Sequence, residues 1–288
     1  MLVSPRFRYL IYGSLISYLE LLTTKSYYIL APLAVDMFAT VAQDVIMCRV
    51  SGKRALIAGY AGGESGSRGA ARAGSAVVVV DAFRASTTIA VLISRGARVV
   101  PVASIEQARS YPGADLRAGE RGSARVAGFD FGNSPTEIVE AGVPPGSTVV
   151  LSTTNGTRVV EAAKGAPSIL TGAFVNARSV AEELAAEAHG RRVVVVGCGW
   201  EGRRASEDEA AAGAILHRLR EMGAELEERA RRVAEVYLSR PAKLLRTNAA
   251  ARRLERLGYG RDLDFCLAED TVPVVPRLVR GVFIGGSS

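Results

Sequence analysis

The chain has 288 residues, 48% of them apolar, enough to bury a sizeable core in one large domain or two small ones; disordered and fibrous classes are excluded. The formal charge of +7 is concentrated in residues 1–75, which carry eight Lys/Arg against four Asp/Glu. Only four of the 36 basic residues are lysine, and no basic run with interleaved aromatics follows, which argues against a nucleic-acid groove.

At the start of the chain, Tyr9–Leu19 and Ser26–Val35 are uncharged and mostly apolar. Each is half the length a membrane-spanning helix needs, and Glu20, Lys25 and Asp36 interrupt the pattern. Arg6 and Arg8 before an apolar stretch are compatible with a signal peptide, but no convincing small-residue cleavage site follows. The reading preferred here is that residues 1–46 are an extension the fold does not use, and that residues 47–288 form the working domain.

Gly62–Ser75, rich in Gly, Ser and Arg, reads as a loop. AVVVVD (76–81) has the character of a buried strand and leads into a helix from about Ala85 to Arg95, closed by Gly96. ARVVPV (97–102) is the next strand, and Ser104 with Gln107 makes a capping box for a short helix. The alternation resumes with strands at STVVLS (147–152), SILTGA (168–173) and RRVVVVG (191–197). These lead into helices at about 156–164, 179–188 and 206–222; Ser206 and Glu209 suggest a second capping box. Residues 224–257 read as one or two amphipathic helices broken by Pro241, while DFCLA (264–268) and VPVVPRLV (272–279) read as edge strands or extended segments. Near-continuous Val/Ile strands alternating with helices predict a three-layer α/β/α fold on a largely parallel, mixed sheet, with room for two lobes.

Three cysteines, Cys48, Cys198 and Cys266, are far apart and form no CxxC pair, so neither a disulfide framework nor a zinc site is expected. A reducing cytoplasm is the default that follows. The two histidines, His189 and His217, fall inside predicted helices, which disfavours His-based hydrolysis.

In open α/β sheets, ligands bind where strands end and helices begin. Five polar stretches fall there: DAFRAST (81–87), GERGS (119–123), GFDFGNSP (128–135), STTNGTR (152–158) and GCGWEGRRASED (197–208). Singly they are weak: Asp81 could simply cap a helix, Asn155-Gly156 could be a turn, and Glu207, Asp208 and Glu209 suit any first helical turn. Together, acids at five strand ends (Asp81, Glu120, Asp130, Glu201, Glu207/Asp208) and arginines at three (Arg84, Arg121, Arg203) suit a Mg²⁺–phosphate site. Carboxylates hold the hard cation, and arginines and backbone N–H groups hold phosphate.

At these motifs the chain resembles the 2-phosphosulfolactate phosphatase family. The resemblance keeps order and spacing from about Ala76 to Pro276, and GAFVNARSVA (172–181) and DLDFCLAED (262–270) also fit. It implies Mg²⁺-dependent hydrolysis of (2R)-2-phospho-3-sulfolactate to sulfolactate and phosphate, a step in coenzyme M synthesis. The expected partner is thus a small phosphorylated sulfonate or carboxylate, with no nucleic acid or membrane and with scope for a homo-oligomer. Trp200, where the family usually has a small polar residue, and the extra Arg204 depart from the pattern and bear on the exact substrate.

On this reading Asp81, Asp130, Glu201 and Asp208 ligate Mg²⁺. Arg84, Arg121 and Arg203 bind phosphate and the substrate's other acidic group. Asn133, Ser134, Thr154 and Asn155 orient oxygens or the attacking water, and Glu120 is the candidate base. A haloacid-dehalogenase-type site would want an acid at Phe83. Cys198 and Arg204 match a C-x5-R cysteine phosphatase, but Glu201 inside that loop would repel a phosphate dianion. A non-enzymatic anion-binding protein would use the same arginines without needing so many acids.

Overall fold

The computed structural model describes residues 55–187, 191–239 and 242–285. The extension over 1–46, Cys48 and His189 lie outside them.

In chain order the elements are β1 (Ile57–Gly62), α1 (Gly63–Arg72), β2 (Ala76–Val80), α2 (Ala85–Ser94), β3 (Arg98–Pro101), α3 (Ile105–Ser110), β4 (Leu116–Arg121) and β5 (Ala124–Arg125). There follow α4 (Pro135–Ala141), β6 (Thr148–Ser152), α5 (Gly156–Ala162), β7 (Ile169–Thr171), α6 (Ala177–Glu187), β8 (Arg192–Gly197), α7 (Ser206–Glu221) and β9 (Glu225–Leu226). The chain continues through α8 (Glu228–Ser239), α9 (Ala249–Arg256), α10 (Gly260–Cys266), β10 (Pro276–Val279) and β11 (Val282–Gly285).

The strands form one sheet in the order β5-β4-β6-β3-β11-β10-β7-β2-β8-β1-β9. Two parallel blocks, β4-β6-β3 and β7-β2-β8-β1-β9, are joined by the antiparallel β10–β11 hairpin. Strand alternation then divides the core. Val78, Val80, Val193 and Val195 face α6, α7 and α8 through Leu184, Ile215 and Val233. Val77, Val79, Val194 and Val196 face α2, α4 and α5 through Ile89, Ile138 and Val159. With apolar side chains needed on both faces, near-continuous valine is what such a strand requires.

The predicted α/β/α class and the Ser104–Gln107 capping box are borne out. Four expectations are corrected. Room for two lobes is closed by the hairpin, which joins the two blocks, and the described residues gather in one compact unit. The loop expected over Gly62–Ser75 is mostly α1, whose buried face is Ser67, Ala70 and Ala71. Those small residues give no apolar stripe to read, yet they let α1 approach α5 closely enough for the Ser67 hydroxyl to donate to the Val159 carbonyl at 2.9 Å. DFCLA begins inside α10, which buries Leu263 and Cys266, and β10 lies in the sheet's interior. Pro276 is tolerated there because it is the first residue of its strand, where its missing N–H matters least.

Candidate active site

The C-terminal ends of β2 and β8 lie side by side, with Val80 opposite Gly197. Asp81 follows β2, and its Oδ1 accepts the Ala85 N–H at 3.2 Å, so it does serve the start of α2. Its backbone N–H donates to the Ser86 hydroxyl at 2.8 Å, which fixes the strand-to-helix turn. Gly156, at the start of α5, sits against this turn; a Cβ there would lie 2.9 Å from Asp81 Oδ2. That close approach brings the Asn155 end of the TTNGT motif to Asp81.

Asp208, in the first turn of α7, is buried. Its Oδ1 accepts the Ala82 N–H and its Oδ2 the Gly199 N–H, both at 2.8 Å, so one carboxylate clasps the loops after β2 and β8. The expected Ser206–Glu209 capping box does not form. Ala205 is the N-cap and Ser206 already belongs to the helix, while Glu209 pairs with Arg204 at 2.6 and 2.7 Å.

Asp81, Glu120, Glu207 and Asp208 line one small pocket with Arg84, Asn133, Asn155, Trp200 and Arg253. Its volume of about 20 Å³ is room for a body the size of water or an ion. Burial, reinforced by Glu120 and Glu207, pushes the Asp81 carboxyl up to about 7. Burial also raises Asp208 well above the carboxylate range, with Asp81 and Glu207 adding to it, and raises Glu207. Two backbone N–H bonds do not offset the desolvation of Asp208, because the nearest charges are of its own sign. The Cys198 thiol is buried and pushed up by that burial and by Asp81 and Asp208, the reverse of what a nucleophilic cysteine needs.

The other candidates divide into those at the pocket and those away from it. Arg84 is buried; its Nη1 donates to Asp262 Oδ2 at 2.6 Å, its Nη2 to the Ser123 carbonyl at 2.8 Å, and Tyr259 lies 4.1 Å below its plane. Glu120 accepts the backbone N–H groups of Ser123 (2.7 Å) and Thr154 (2.6 Å) and the Thr154 hydroxyl (3.1 Å). It therefore ties the ERGS and TTNG turns together. Ser134 caps α4 and donates to Asp262 Oδ1 at 2.8 Å. The buried Asn133 Oδ1 has no hydrogen-bond partner among the described residues.

Asp130, Glu201, Arg121 and Arg203 do not line this pocket. Asp130 is exposed and accepts the Arg117 N–H at 2.8 Å. Glu201 is exposed at the tip of the Trp200–Arg203 turn, with φ of 46°. Arg121 donates to the Glu120 carbonyl and the Ser152 hydroxyl. Arg203 lines a neighbouring, larger cavity. Among the described residues, no group of three or more His, Cys, Asp or Glu gathers in a metal-holding arrangement.

Two participants escaped the sequence reading, and a third was named without a role. Arg253 of α9 stacks 3.7 Å over the Trp200 ring and donates to the Ser123 hydroxyl at 3.0 Å, but in an Arg/Glu-rich amphipathic helix nothing marks it out. Asp262 lies in the DLDFCLAED segment that fits the family resemblance, but no role follows from that fit. Glu207, counted with Asp208 among the strand-end acids but given no role of its own, is buried and faces the pocket.

A family model described as 2-phosphosulpholactate phosphatase matches residues 66–281. The chain is 39% identical over 216 residues to a probable 2-phosphosulfolactate phosphatase of Gloeobacter violaceus, covering 73% of this chain and 91% of that protein. A protein of the same description from Thermotoga maritima is 37% identical over 212 residues, covering 72% and 90%. One from Synechocystis is 37% identical over 214 residues, covering 70% and 88%.

Proposed function

Because the chain belongs to the 2-phosphosulfolactate phosphatase family, an enzyme family, we propose that it hydrolyses (2R)-2-phospho-3-sulfolactate to (2R)-3-sulfolactate and phosphate with Mg²⁺ held between Asp81 and Asp208. The observation that carries the metal is the cluster itself: burial raises Asp81, Asp208 and Glu207 in one small pocket, with Glu120 and Glu207 adding to the rise at Asp81 and with Asp81 and Glu207 adding to it at Asp208. A buried group of like charges calls for a cation, and a hard one suits oxygen donors alone. Asn133 Oδ1, buried without a partner among the described residues, is a third oxygen of the right kind. Two carboxylates suffice, since Mg²⁺ usually keeps waters and takes substrate phosphate as its remaining ligands. Asp130 and Glu201, exposed and outside the pocket, are left out of this set.

When bound, the ion would neutralise the phosphoryl oxygens and polarise the scissile P–O bond. Arg84 and Arg253 supply N–H donors on the other wall, where a transferring phosphoryl group gathers negative charge. The attacking water's oxygen bonds to phosphorus while the bond to the C2 oxygen breaks, and the departing oxygen takes a proton. Glu207 is the better-placed acceptor for the water's proton. Burial raises its carboxyl, and its recorded hydrogen bonds, from Asn248 and Ser206, go to Oε2. Both oxygens of Glu120 are occupied by donors, so Glu120 positions the two turns that carry Ser123 and Thr154. The reaction belongs to coenzyme M synthesis on this reading. A cytoplasmic location agrees with the free, buried Cys198 and Cys266; no helix among the described residues is long and apolar enough to cross a membrane.

Trp200 under Arg253 favours one second reading, a different small phosphorylated hydroxy acid, because the pair sits at the pocket wall where a substrate's shape would be felt. Phosphate release from a panel of phosphorylated hydroxy acids, with Mg²⁺ and with EDTA, tests both. Fastest release from phosphosulfolactate, abolished by EDTA, is expected. Full rates in EDTA would overturn the metal reading, and preference for another acid would move the substrate to the second one.

A further inference from the structure

The acid pocket, at about 20 Å³, has no room for a three-carbon acid beside the reacting group. A second cavity of about 380 Å³ adjoins it, the two sharing Asn155, Gly199 and Asp208. Their charges are opposite in character. The first has four carboxylates against two arginines; the second has Arg203, Arg204 and Arg229 against Glu64 and Asp208.

Arg204 and Glu64 are engaged: Arg204 pairs with Glu209, and Glu64 with Arg158 at 3.2 Å. Arg203 and Arg229 have no carboxylate partner among the described residues. Arg229, on α8, lies 5.0 Å over the Tyr60 ring of β1, which holds the guanidinium by its face and leaves its N–H edges for a ligand. Tyr60 is buried and its hydroxyl donates to Glu209 Oε1 at 3.5 Å, so what it offers the cavity is the ring beneath Arg229. Gly197 makes this possible, because a Cβ there would stand 2.7 Å from the Tyr60 hydroxyl.

We propose that this cavity, walled by Arg203, Arg229 and Tyr60, receives the substrate's non-transferred acidic end, a sulfonate or carboxylate, while the phosphoryl group reaches over Asp208 to the acid pocket. The assignment rests on the phosphatase reading above and adds the selectivity for a second anionic group. Arg229 is a residue the strand-end motifs give no reason to suspect, since it belongs to α8.

The test compares kcat/KM for phosphosulfolactate with kcat/KM for a phosphate monoester lacking a second anionic group, p-nitrophenyl phosphate, in wild type and Arg229→Gln. Losing one charge-assisted contact should lower the ratio of the two about tenfold, chiefly through KM of the sulfonated substrate. Arg232→Gln, on the same helix but paired with Glu228 outside the cavity, should leave the ratio unchanged. Melting curves separate misfolding from lost contact, and Arg229→Lys should recover part of the ratio. An unchanged ratio in Arg229→Gln, or equal losses on both esters, overturns the site while leaving the phosphatase reading intact. Wild-type protein that releases phosphate from no phosphorylated hydroxy acid fails the phosphatase reading and this site with it.

Discussion

Two buried aspartates, Asp208 in the acid pocket and Asp262 behind its Arg84, have surroundings that could hardly differ more. Asp262 is wholly enclosed, and its carboxylate accepts from Arg84 Nη1, the Ser134 hydroxyl, and the Thr136 N–H and hydroxyl. Asp208 is almost as deeply enclosed, but it accepts only two backbone N–H bonds, and Asp81 and Glu207 are its charged neighbours. The first carboxylate is fully answered, with a counter-charge and three further donors, and it joins the starts of α2 and α4 to α10. The second is left to be completed by something that arrives, a proton or a cation. The difference teaches where to look for chemistry, because a buried charge beside its complement holds a fold and one beside its like implies a ligand.

The comparison is broken most directly at Asp262. Asp262→Ala leaves Arg84 buried without its counter-charge, and strands the Ser134 and Thr136 donors as well. A loss of about 3–5 kcal/mol in urea-unfolding stability is expected. A loss under about 1 kcal/mol would mean that the closed arrangement contributes little to the fold.

A smaller effect is expected at Arg84. Lys keeps the charge but lacks the fork that reaches Asp262 and the Ser123 carbonyl at once. Arg84→Lys should reduce kcat/KM about tenfold to a hundredfold, with the Mg²⁺ concentration for half-maximal activity unchanged. A shifted Mg²⁺ requirement would instead place Arg84's influence on the acid side, and the two regions would no longer be separable.

Much of this architecture is legible in the sequence, for reasons that also explain what is not. Buried parallel strands must be apolar on both faces, so AVVVV and RVVVVG announce β2 and β8, and the acids following them announce the site. Asp81, Glu120, Asn133, Asn155 and Asp208 were named from strand ends alone, and all line the pocket. Asp130 and Glu201 stand in equally suggestive motifs, yet a strand end fixes only where a residue is, not where its side chain turns; both face solvent. α1 is hidden because a helix that packs on Ser67, Ala70 and Ala71 has no apolar period. Arg253 and Asp262 are hidden because they come from α9 and α10, more than a hundred residues beyond Arg84 and brought back only by tertiary packing.

The most direct test of the central claim, that Asp81 and Asp208 form an uncompensated metal-holding pair, is a Mg²⁺ titration of melting temperature and phosphate release in wild type and Asp81→Asn. Asp81 titrates near 7 in the folded chain against an ordinary 3.8. Between about pH 4 and 7 the unfolded chain has therefore already lost a proton that the folded chain retains. Metal-free stability should fall as pH rises through that window and level off above it. Asp81→Asn removes that slope, so at pH 8 without Mg²⁺ the variant should be the more stable protein by about 1–2 kcal/mol, allowing for screening at a partly open site. Saturating Mg²⁺ should raise the wild-type melting temperature through a linkage of about 2.7 kcal/mol at a hundred times Kd, and should switch on phosphate release. Both responses should be weaker in Asp81→Asn. An Asp81→Asn protein with the wild-type Mg²⁺ response and wild-type turnover, or wild-type turnover undiminished in EDTA, would contradict the account.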